Sequence, residues 1–332
     1  MIIASSPQSI LKAAQALQSG QVVAFPTETV YGLGANAFDS AAVQKIFTLK
    51  SRPASNPIIV HVPSIDHAFE LIDESATKKV LSRFRKISRY WPGPLSLIVP
   101  KIDAISDLVS AGGKTIAIRI PRHPVALELL KVVKLPIAAP SANKSFAISP
   151  TTAQHVEASF PESELIILDG GACTVGLEST VLDISGETPR IMRPGAISTE
   201  QVMHTLEEKC LCESIRVNSE DAENVKSPGL FDRHYAPKTP LVFIEDLELI
   251  SKKGTLGVIL FSPKKKTEFE GNAKKLIVLS ESGDIEEIAR SLYKVLRNFD
   301  ERGFDLIAIE SCVEEGIGAA IMDRLRRARH LP

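Results

Sequence analysis

The stretch Pro26-Thr27-Glu28-Thr29-Val30-Tyr31-Gly32-Leu33-Gly34 directly follows a short apolar run that ends at Phe25. Two glycines close to small polar residues are typical of a binding turn, and we expect this one to lead into a helix-like segment. About twenty residues later, Lys50-Ser51-Arg52 and Asn56 precede the apolar run Ile58-Ile59-Val60, which ends at His61. Cations placed just before a buried strand indicate an anionic ligand.

Length and composition limit the class of protein. The chain has 332 residues, 44% of them hydrophobic and 24% charged, with a net charge of −1. These values predict a globular protein of two domains, and the near-zero charge argues against a surface that grips nucleic acid as a whole, although a local basic patch stays possible. The four cysteines lack disulfide or zinc spacing, and no apolar run is long enough to span a membrane. We therefore expect a cytoplasmic protein with no membrane role.

Apolar periodicity predicts the elements. Helices are expected over residues 7–19, after Asp39 and over 75–90, with Trp91 in the core. Strands and helices are intermixed up to residue 212 without a strict βαβ period, which favours a twisted mixed sheet in an α/β fold. Regularity lapses over residues 213–240, which we interpret as a linker.

The remaining residues, 241–332, alternate short apolar strands with helices, and this pattern favours a small Rossmann-like α/β/α domain. A helix is expected to begin at Asp284, with Glu287 in capping-box spacing. In the last helix, from about Gly318 to Arg329, the pattern predicts that Ile321, Met322 and Leu325 lie inside and the arginines outside.

Three motifs have simpler explanations than catalysis. Gly112-Gly113-Lys114-Thr115 lacks the first glycine of a phosphate-binding loop and precedes a strand, so a tight turn is predicted. Gly316-Ile317-Gly318 lacks the third glycine of a dinucleotide fingerprint. Ser179 lacks the spacing of a nucleophile elbow and is better placed as a hydrogen-bond donor.

Cations and small polar groups recur at the ends of predicted strands, and this recurrence favours one shared pocket for an anion. A lone histidine such as His61 is more often structural than a ligand contact. The set consists of Lys50, Arg52, Arg119 and Arg193, with Asn56, Thr115, Ser141, Asn143 and Ser179.

The quoted motifs, together with Ser141-Ala142-Asn143, resemble the YrdC-like family of threonylcarbamoyl-AMP synthases. His234-Tyr235-Ala236-Pro237 and the segment from Gly318 to Leu325 are similar to the linker and tail of its long, two-domain form. The resemblance implies a twisted mixed-sheet YrdC-like domain plus the small Rossmann-like domain. It also implies an L-threonylcarbamoyladenylate synthase, a nucleotidyltransferase that uses L-threonine, bicarbonate or CO2, and ATP with Mg2+, and that supplies tRNA-modification enzymes.

The resemblance also implies roles for single residues. Threonine would be held by Thr29, His61, Arg119, Ala139 and Ser179. ATP would be held by Lys50, Arg52, Asn56, Thr115, Ser141, Asn143, Ser149, Arg193 and Tyr235, with Lys50 and Arg52 acting in catalysis. The chemistry needs no protein nucleophile and no protein-bound metal, and Tyr235 of the linker would close over ATP as part of a lid.

Two other functions stay open at this point. A non-catalytic RNA-binding module of the same fold would use the same cations, with weak RNA contact. A carbamoyl-transferring hydrogenase-maturation factor also contains such a domain, but the zinc-binding cysteine motifs of those proteins are absent from this sequence.

Overall fold

A large mixed sheet forms the first part of the chain. The computed structural model describes residues 1–212, 234–249 and 254–330. Among these residues, eleven strands join in the order β1-β8-β2-β3-β7-β4-β6-β5-β9-β10-β11, with both parallel and antiparallel neighbours. The strands are β1 (Ile2–Ala4), β2 (Val23–Phe25), β3 (Gly32–Asn36), β4 (Ile59–His61), β5 (Leu95–Pro100), β6 (Thr115–Arg119), β7 (Ile137–Ala138), β8 (Ile166–Asp169), β9 (Thr180–Asp183), β10 (Arg190–Arg193) and β11 (Leu211–Cys212).

Helices cover this sheet, and most begin at a side-chain cap. Ser6, Asp39 and Thr77 each accept backbone N–H groups at a helix start. The helix expected over 75–90 begins at Lys78 and ends in a 3-10 turn, Ser88–Tyr90, and Trp91 is buried as predicted. The helices are α1 (Pro7–Gln18), α2 (Ser40–Lys50), α3 (Ile65–Phe69), α4 (Lys78–Ile87), α5 (Asp107–Ser110), α6 (Pro124–Val133), α7 (Ala153–Ser159) and α8 (Thr199–Leu206).

The segment after Tyr31 is a strand, so the prediction of a helix-like segment there is wrong. Gly32–Asn36 pairs antiparallel with β2, so the motif is a turn between two central strands. A Cβ on Gly34 would come within 2.7 Å of Ile137 and 2.8 Å of the Phe25 ring. The glycines therefore permit close packing of this strand, and the binding turn is confined to residues 26–31.

The second part is a four-stranded parallel sheet flanked by helices. Its strand order is β12-β15-β13-β14 within the described residues. Asp284 caps the long helix as predicted, whereas Glu287 accepts from Ser280 and does not complete a capping box. The elements are β12 (Leu241–Phe243), β13 (Leu256–Leu260), α9 (Lys266–Phe269), β14 (Lys275–Val278), α10 (Ile285–Glu301), β15 (Leu306–Ile309) and α11 (Ile317–Ala328), with 3-10 turns at Ile244–Leu249 and Pro263–Lys265.

The two parts share an apolar core at their junction. Val30 and Leu177 of the first part belong to the same buried cluster as Leu292 and Ile321 of the second. The predicted fold class, a mixed-sheet α/β domain with a small parallel α/β/α domain, is confirmed. Residues 213–233, which hold most of the predicted linker, lie outside the described residues, so the predicted boundaries stay a prediction. No helix among the described residues is long and apolar enough to cross a membrane.

Candidate functional site

A cavity opens where two parallel strands end. His61 closes β4 and Arg119 closes β6, and the strand register places them side by side. The turn of residues 27–32 and the segment after β7 form other walls, and residues just before β12 form another. Sixteen of the described residues line the cavity: Thr27, Thr29, Val30, Gly32, Arg52, Ile59, His61, Arg119, Ala139, Pro140, Ser141, Glu178, Ser179, Arg193, His234 and Tyr235.

The structure brings together all five residues predicted to hold threonine. Thr29, His61, Arg119, Ala139 and Ser179 line this one cavity. Their side chains are buried, and most are already fixed by protein contacts, which favours a preformed site. Thr29 shares a 2.8 Å hydroxyl hydrogen bond with Thr27, a neighbour in the wall.

Glu28 holds the arginine of this group. Its Oε2 lies 2.9 Å from a terminal nitrogen of Arg119, and both side chains are buried. Arg119 Nε also donates to the carbonyl of Gly93, at 3.3 Å. The ion pair with the carboxylate and the hydrogen bond to Gly93 together restrain the guanidinium at the cavity. Glu28 itself does not line the cavity.

His61 is neutral at physiological pH. Burial, reinforced by the positive charge of Arg119, lowers its pKa to about 3. Its Nδ1 is buried without a partner among the described residues. A neutral imidazole with one free nitrogen can exchange a hydrogen bond with a ligand but cannot supply a positive charge.

Three cations lie on the nucleotide side of the predicted site. Arg52 and Arg193 line the cavity, and Lys50 is buried behind its wall. Lys50 Nζ donates to the carbonyls of Ser141 at 2.6 Å and Asn143 at 2.5 Å. Burial, with the nearby charges of Arg52 and Lys144, lowers the pKa of Lys50.

The two arginines also contact only neutral oxygens. Arg52 donates to the carbonyls of Asn56 and Pro57, at 3.1 and 2.8 Å. Arg193 donates to the carbonyl of Ser179 at 3.0 Å and to its hydroxyl at 3.1 Å. Within the described part of the chain, no carboxylate lies at ion-pair distance from Lys50, Arg52 or Arg193. Arg52 and Arg193 therefore line the cavity without a paired carboxylate among the described residues, and together they form a place for an anion.

The other residues predicted to bind ATP lie in three settings. Ser141 and Tyr235 line the cavity. Asn56, Asn143 and Ser149 are buried next to it, and the side-chain oxygens of Asn56 and Asn143 lack partners among the described residues.

Thr115 is separate from the cavity. It lies at the start of β6 and lines a surface depression with Lys101 and Lys114. Because side chains alternate along a strand, it shares the face of Ala117 and Arg119. The structure thus places Thr115 on the same face of the sheet as the cavity, at the opposite end of the strand. The binding roles of all these residues stay predictions.

Sequence reasoning gave no role to several residues at the site. Glu28 is part of the opening motif and His234 is next to Tyr235 in sequence. Neither could be given a role from the sequence, because their neighbours in space were unknown. Glu178 is buried at the cavity wall, where burial alone would raise its pKa, yet Arg324, Arg193 and a hydrogen bond from Ser149 lower it to about 2.

The prediction that the arginines of the last helix lie outside is wrong for Arg324 and Arg327. Both are buried, at 1% and 6% exposure, while Arg326 is 39% exposed at its side chain. Arg324 pairs with Glu178, which lies 146 residues earlier in the chain. Helical periodicity cannot indicate such a partner, because the periodicity reports only that a charged residue usually faces water.

No group of three or more His, Cys, Asp or Glu side chains in the part of the chain that the structure describes could hold a metal ion.

Comparison with known proteins extends over nearly the whole chain. Residues 15–195 match the Sua5/YciO/YrdC family model, described as telomere recombination, and residues 197–329 match the model of the threonylcarbamoyl-AMP synthase C-terminal domain. The chain belongs to the threonylcarbamoyl-AMP synthase family.

Two relatives in this family are similar over most of their own length and of this chain. The threonylcarbamoyl-AMP synthase of Pyrococcus abyssi is 39% identical over 95% of this chain and 92% of its own. That of Bacillus subtilis is 40% identical over 98% and 94%. The crystal structure of P. abyssi Sua5 complexed with L-threonine superimposes with a TM-score of 0.87 and 36% identity, covering 99% of this chain and 96% of that one. The chain therefore resembles the two-domain members of the family over nearly its whole length.

Proposed function

We propose that this chain forms threonylcarbamoyl-AMP and pyrophosphate from L-threonine, bicarbonate or CO2, and ATP. One observation carries the proposal: three cations without a paired carboxylate among the described residues, Lys50, Arg52 and Arg193, adjoin a cavity end where Thr29, His61 and the paired Arg119 lie. A triphosphate needs the first feature, and a zwitterionic amino acid with a hydroxyl suits the second.

The amino acid would occupy the end of the cavity formed by Thr29, His61 and Arg119. The N–H groups of Arg119 that Glu28 leaves free would hold the carboxylate. The hydroxyls of Thr29 and Ser179 and the free nitrogen of neutral His61 would pair with the hydroxyl and amine. A site that pairs a substrate hydroxyl discriminates strongly against analogues that lack it.

The nucleotide would extend from the cations along the sheet. Ile59 lines the cavity and belongs to a small apolar cluster with Ile98, Ala117, Val181 and Met192. Strand alternation and register put these side chains on the face that also carries Thr115. Ile59 offers an apolar contact in the cavity beside the cations, which suits a purine base or its ribose.

The chemistry requires positioning more than acid or base catalysis. The threonine amine adds to CO2 and loses a proton, and a carbamate oxygen then attacks the α-phosphorus of ATP in line, so that a new P–O bond forms as pyrophosphate leaves. Mg2+ enters as part of the substrate, MgATP. Arg52 and Arg193 would stabilise the charge that develops on the phosphates, and the Lys50 ammonium would hold the Ser141–Asn143 segment in place.

His234 and Tyr235 would form a lid. Both are buried at the cavity, and the free space that they leave is about 50 Å³, room for a few water molecules. Small-molecule sites typically offer roughly 300–1,000 Å³. A wall of the cavity would therefore have to move for nucleotide to enter, and we assign that movement to these two side chains. Closing over the bound reactants would exclude water, which decomposes both the carbamate and the mixed anhydride.

Hinge-like backbone geometry supports the lid. Tyr235 has φ of 60°, a left-handed conformation that is strained for a bulky residue. Its neighbours are tied to both parts of the chain: His234 N donates to the carbonyl of Arg327, and Ala236 N donates to that of Phe146. The strained residue thus sits between two anchored ones.

Pyrophosphate release, measured with each substrate omitted in turn, tests the proposal. We expect release only when threonine, bicarbonate and MgATP are all present, with the product passing to cytoplasmic tRNA-modification enzymes. Salt-dependent RNA binding with no release under any combination would instead indicate the non-catalytic RNA-binding module.

A further inference from the structure

A buried carboxylate lies in the wall of a cavity that would bind a triphosphate. Glu178 lines the cavity, is 5% exposed and directly precedes Ser179, the residue to which Arg193 donates. An unpaired negative charge here would repel phosphate and would be costly to bury. The carboxylate can be tolerated at this position only if other groups compensate it.

Most of that compensation comes from the second part of the chain. Glu178 Oε1 accepts from Ser149 Oγ at 2.6 Å, a contact within the first part. Its Oε2 accepts from Tyr293 Oη at 2.9 Å and from Arg324 Nε at 2.8 Å. Tyr293 lies on α10 and Arg324 on α11. The only cation that pairs with this carboxylate among the described residues is Arg324.

Arg324 also touches two other parts of the site. Its terminal nitrogen donates to the carbonyl of Pro194, next to Arg193, at 2.9 Å. Its guanidinium carbon lies 5.2 Å from the centre of the Tyr235 ring, a cation–π distance. Asp323 contacts it as well, at 2.5 Å, but Asp323 is also paired with Arg327. One side chain therefore links Glu178, the backbone beside Arg193, and Tyr235.

We propose that Arg324 is a positioning residue for nucleotide binding: it compensates the charge of Glu178, and so leaves Arg193 free for the phosphates, while it holds the ring of Tyr235 at the cavity. The inference rests on the proposed function, since it concerns the nucleotide half of that site. It gives the second domain a role in the electrostatics of a cavity whose other walls are built mainly by the first.

The effect of replacing Arg324 depends on the groups that would still contact Glu178. Glu178 would keep Ser149 and Tyr293 as donors, and Arg193, whose charge already acts on the carboxylate, would be left as a cation that can compensate it. Arg193 would then be drawn away from the phosphates. We expect Arg324→Gln to raise the KM for ATP roughly ten- to a hundredfold, with a much smaller effect on the KM for threonine.

The decisive experiment is a charge-balanced rescue. Arg324→Gln is compared with the double variant Arg324→Gln/Glu178→Gln and with Arg324→Lys, both of which restore neutrality. Arg326→Gln is the matched control, because Arg326 is on the same helix but pairs with Glu314 at the surface. For each variant, both KM values, kcat, the thermal midpoint and the Kd of a non-hydrolysable ATP analogue are measured.

We expect the analogue to bind weakly to Arg324→Gln and to regain most of its affinity in the double variant and in Arg324→Lys. If Arg324→Gln does not fold, the inference is tested with the double variant and Arg324→Lys alone. A Kd for the ATP analogue near that of the native chain would then support the inference. A double variant at least as impaired as Arg324→Gln, or equal effects on the KM values of ATP and threonine, would show a merely structural role and overturn the inference. Failure of the native chain to bind the analogue would contradict the proposed function instead.

Discussion

Arg52 offers the sharpest test of the cation cluster, because within the described residues its side chain donates hydrogen bonds only to two backbone carbonyls. Replacing it by alanine removes a charged donor from the cavity wall and leaves the carbonyls of Asn56 and Pro57 without that partner. Arg52 is half-buried, so water can reach part of the gap and the cost in folding stability stays at about 1 kcal/mol.

The cost in catalysis is larger. A charge-assisted hydrogen bond to phosphate contributes about 1.5–3 kcal/mol. Its loss should lower kcat/KM for ATP roughly ten- to a hundredfold, since every ~1.4 kcal/mol is a factor of ten. Arg52→Lys keeps the charge but loses the paired donors, so its kcat/KM for ATP should lie between those of the native chain and Arg52→Ala.

Pyrophosphate release at limiting ATP, with threonine and bicarbonate saturating, is the assay. Arg85→Ala is the control, because Arg85 is an exposed arginine on α4, away from the cavity. Native pyrophosphate release by Arg52→Ala under these conditions would refute the assignment of Arg52 to the phosphates.

Three further outcomes are expected. Serine, which lacks only the methyl group, should be a poor substrate. The analogue 2-aminobutyrate, which lacks the hydroxyl, should be a much worse one, because Thr29 and Ser179 would lose that hydroxyl as a hydrogen-bond partner. Equal turnover of threonine and 2-aminobutyrate would contradict this. Proteolytic cleavage within residues 227–237 should slow when ATP and threonine are added together, and unchanged cleavage would count against the lid. His61 keeps a pKa of about 3 when folded and regains about 6.5 when unfolded, so the unfolded chain binds more protons in that window and stability falls as the pH drops through it. At pH 5 this proton uptake lowers the free energy of unfolding by about 2 kcal/mol relative to neutral pH. The free energy of unfolding of His61→Gln, measured by chemical denaturation, should therefore depend less steeply on pH than that of the native chain. An identical dependence would argue against a buried neutral imidazole.

Local patterns predicted the elements better than their pairing. Capped helices such as α2 and the apolar run of β4 follow from nearby residues, and they occur as expected. The helix-like segment after Tyr31 was wrong because glycine is compatible with many conformations, and only packing against Phe25 and Ile137 selects a strand. Sheet order could not be predicted, since it depends on contacts between residues far apart in the chain.

Only the site residues that lie in sequence motifs or at strand ends could be predicted. Residues at strand ends, such as His61 and Arg119, converge because parallel strands end at one edge of the sheet. The pairing of Glu178 with Arg324 joins two buried charges from different domains, and each looks like an ordinary surface residue in its own segment. Buried ion pairs of this kind become visible only when both partners are placed in space.

Mass spectrometry of the adenylate product tests the central claim most directly. The native chain is incubated with L-threonine, MgATP and bicarbonate labelled with 13C, and the nucleotide products are analysed at short times. We expect a threonylcarbamoyl-AMP that carries a single 13C atom, formed together with pyrophosphate and absent when threonine is omitted. Hydrolysis of ATP with no labelled adenylate under any of these conditions would contradict it.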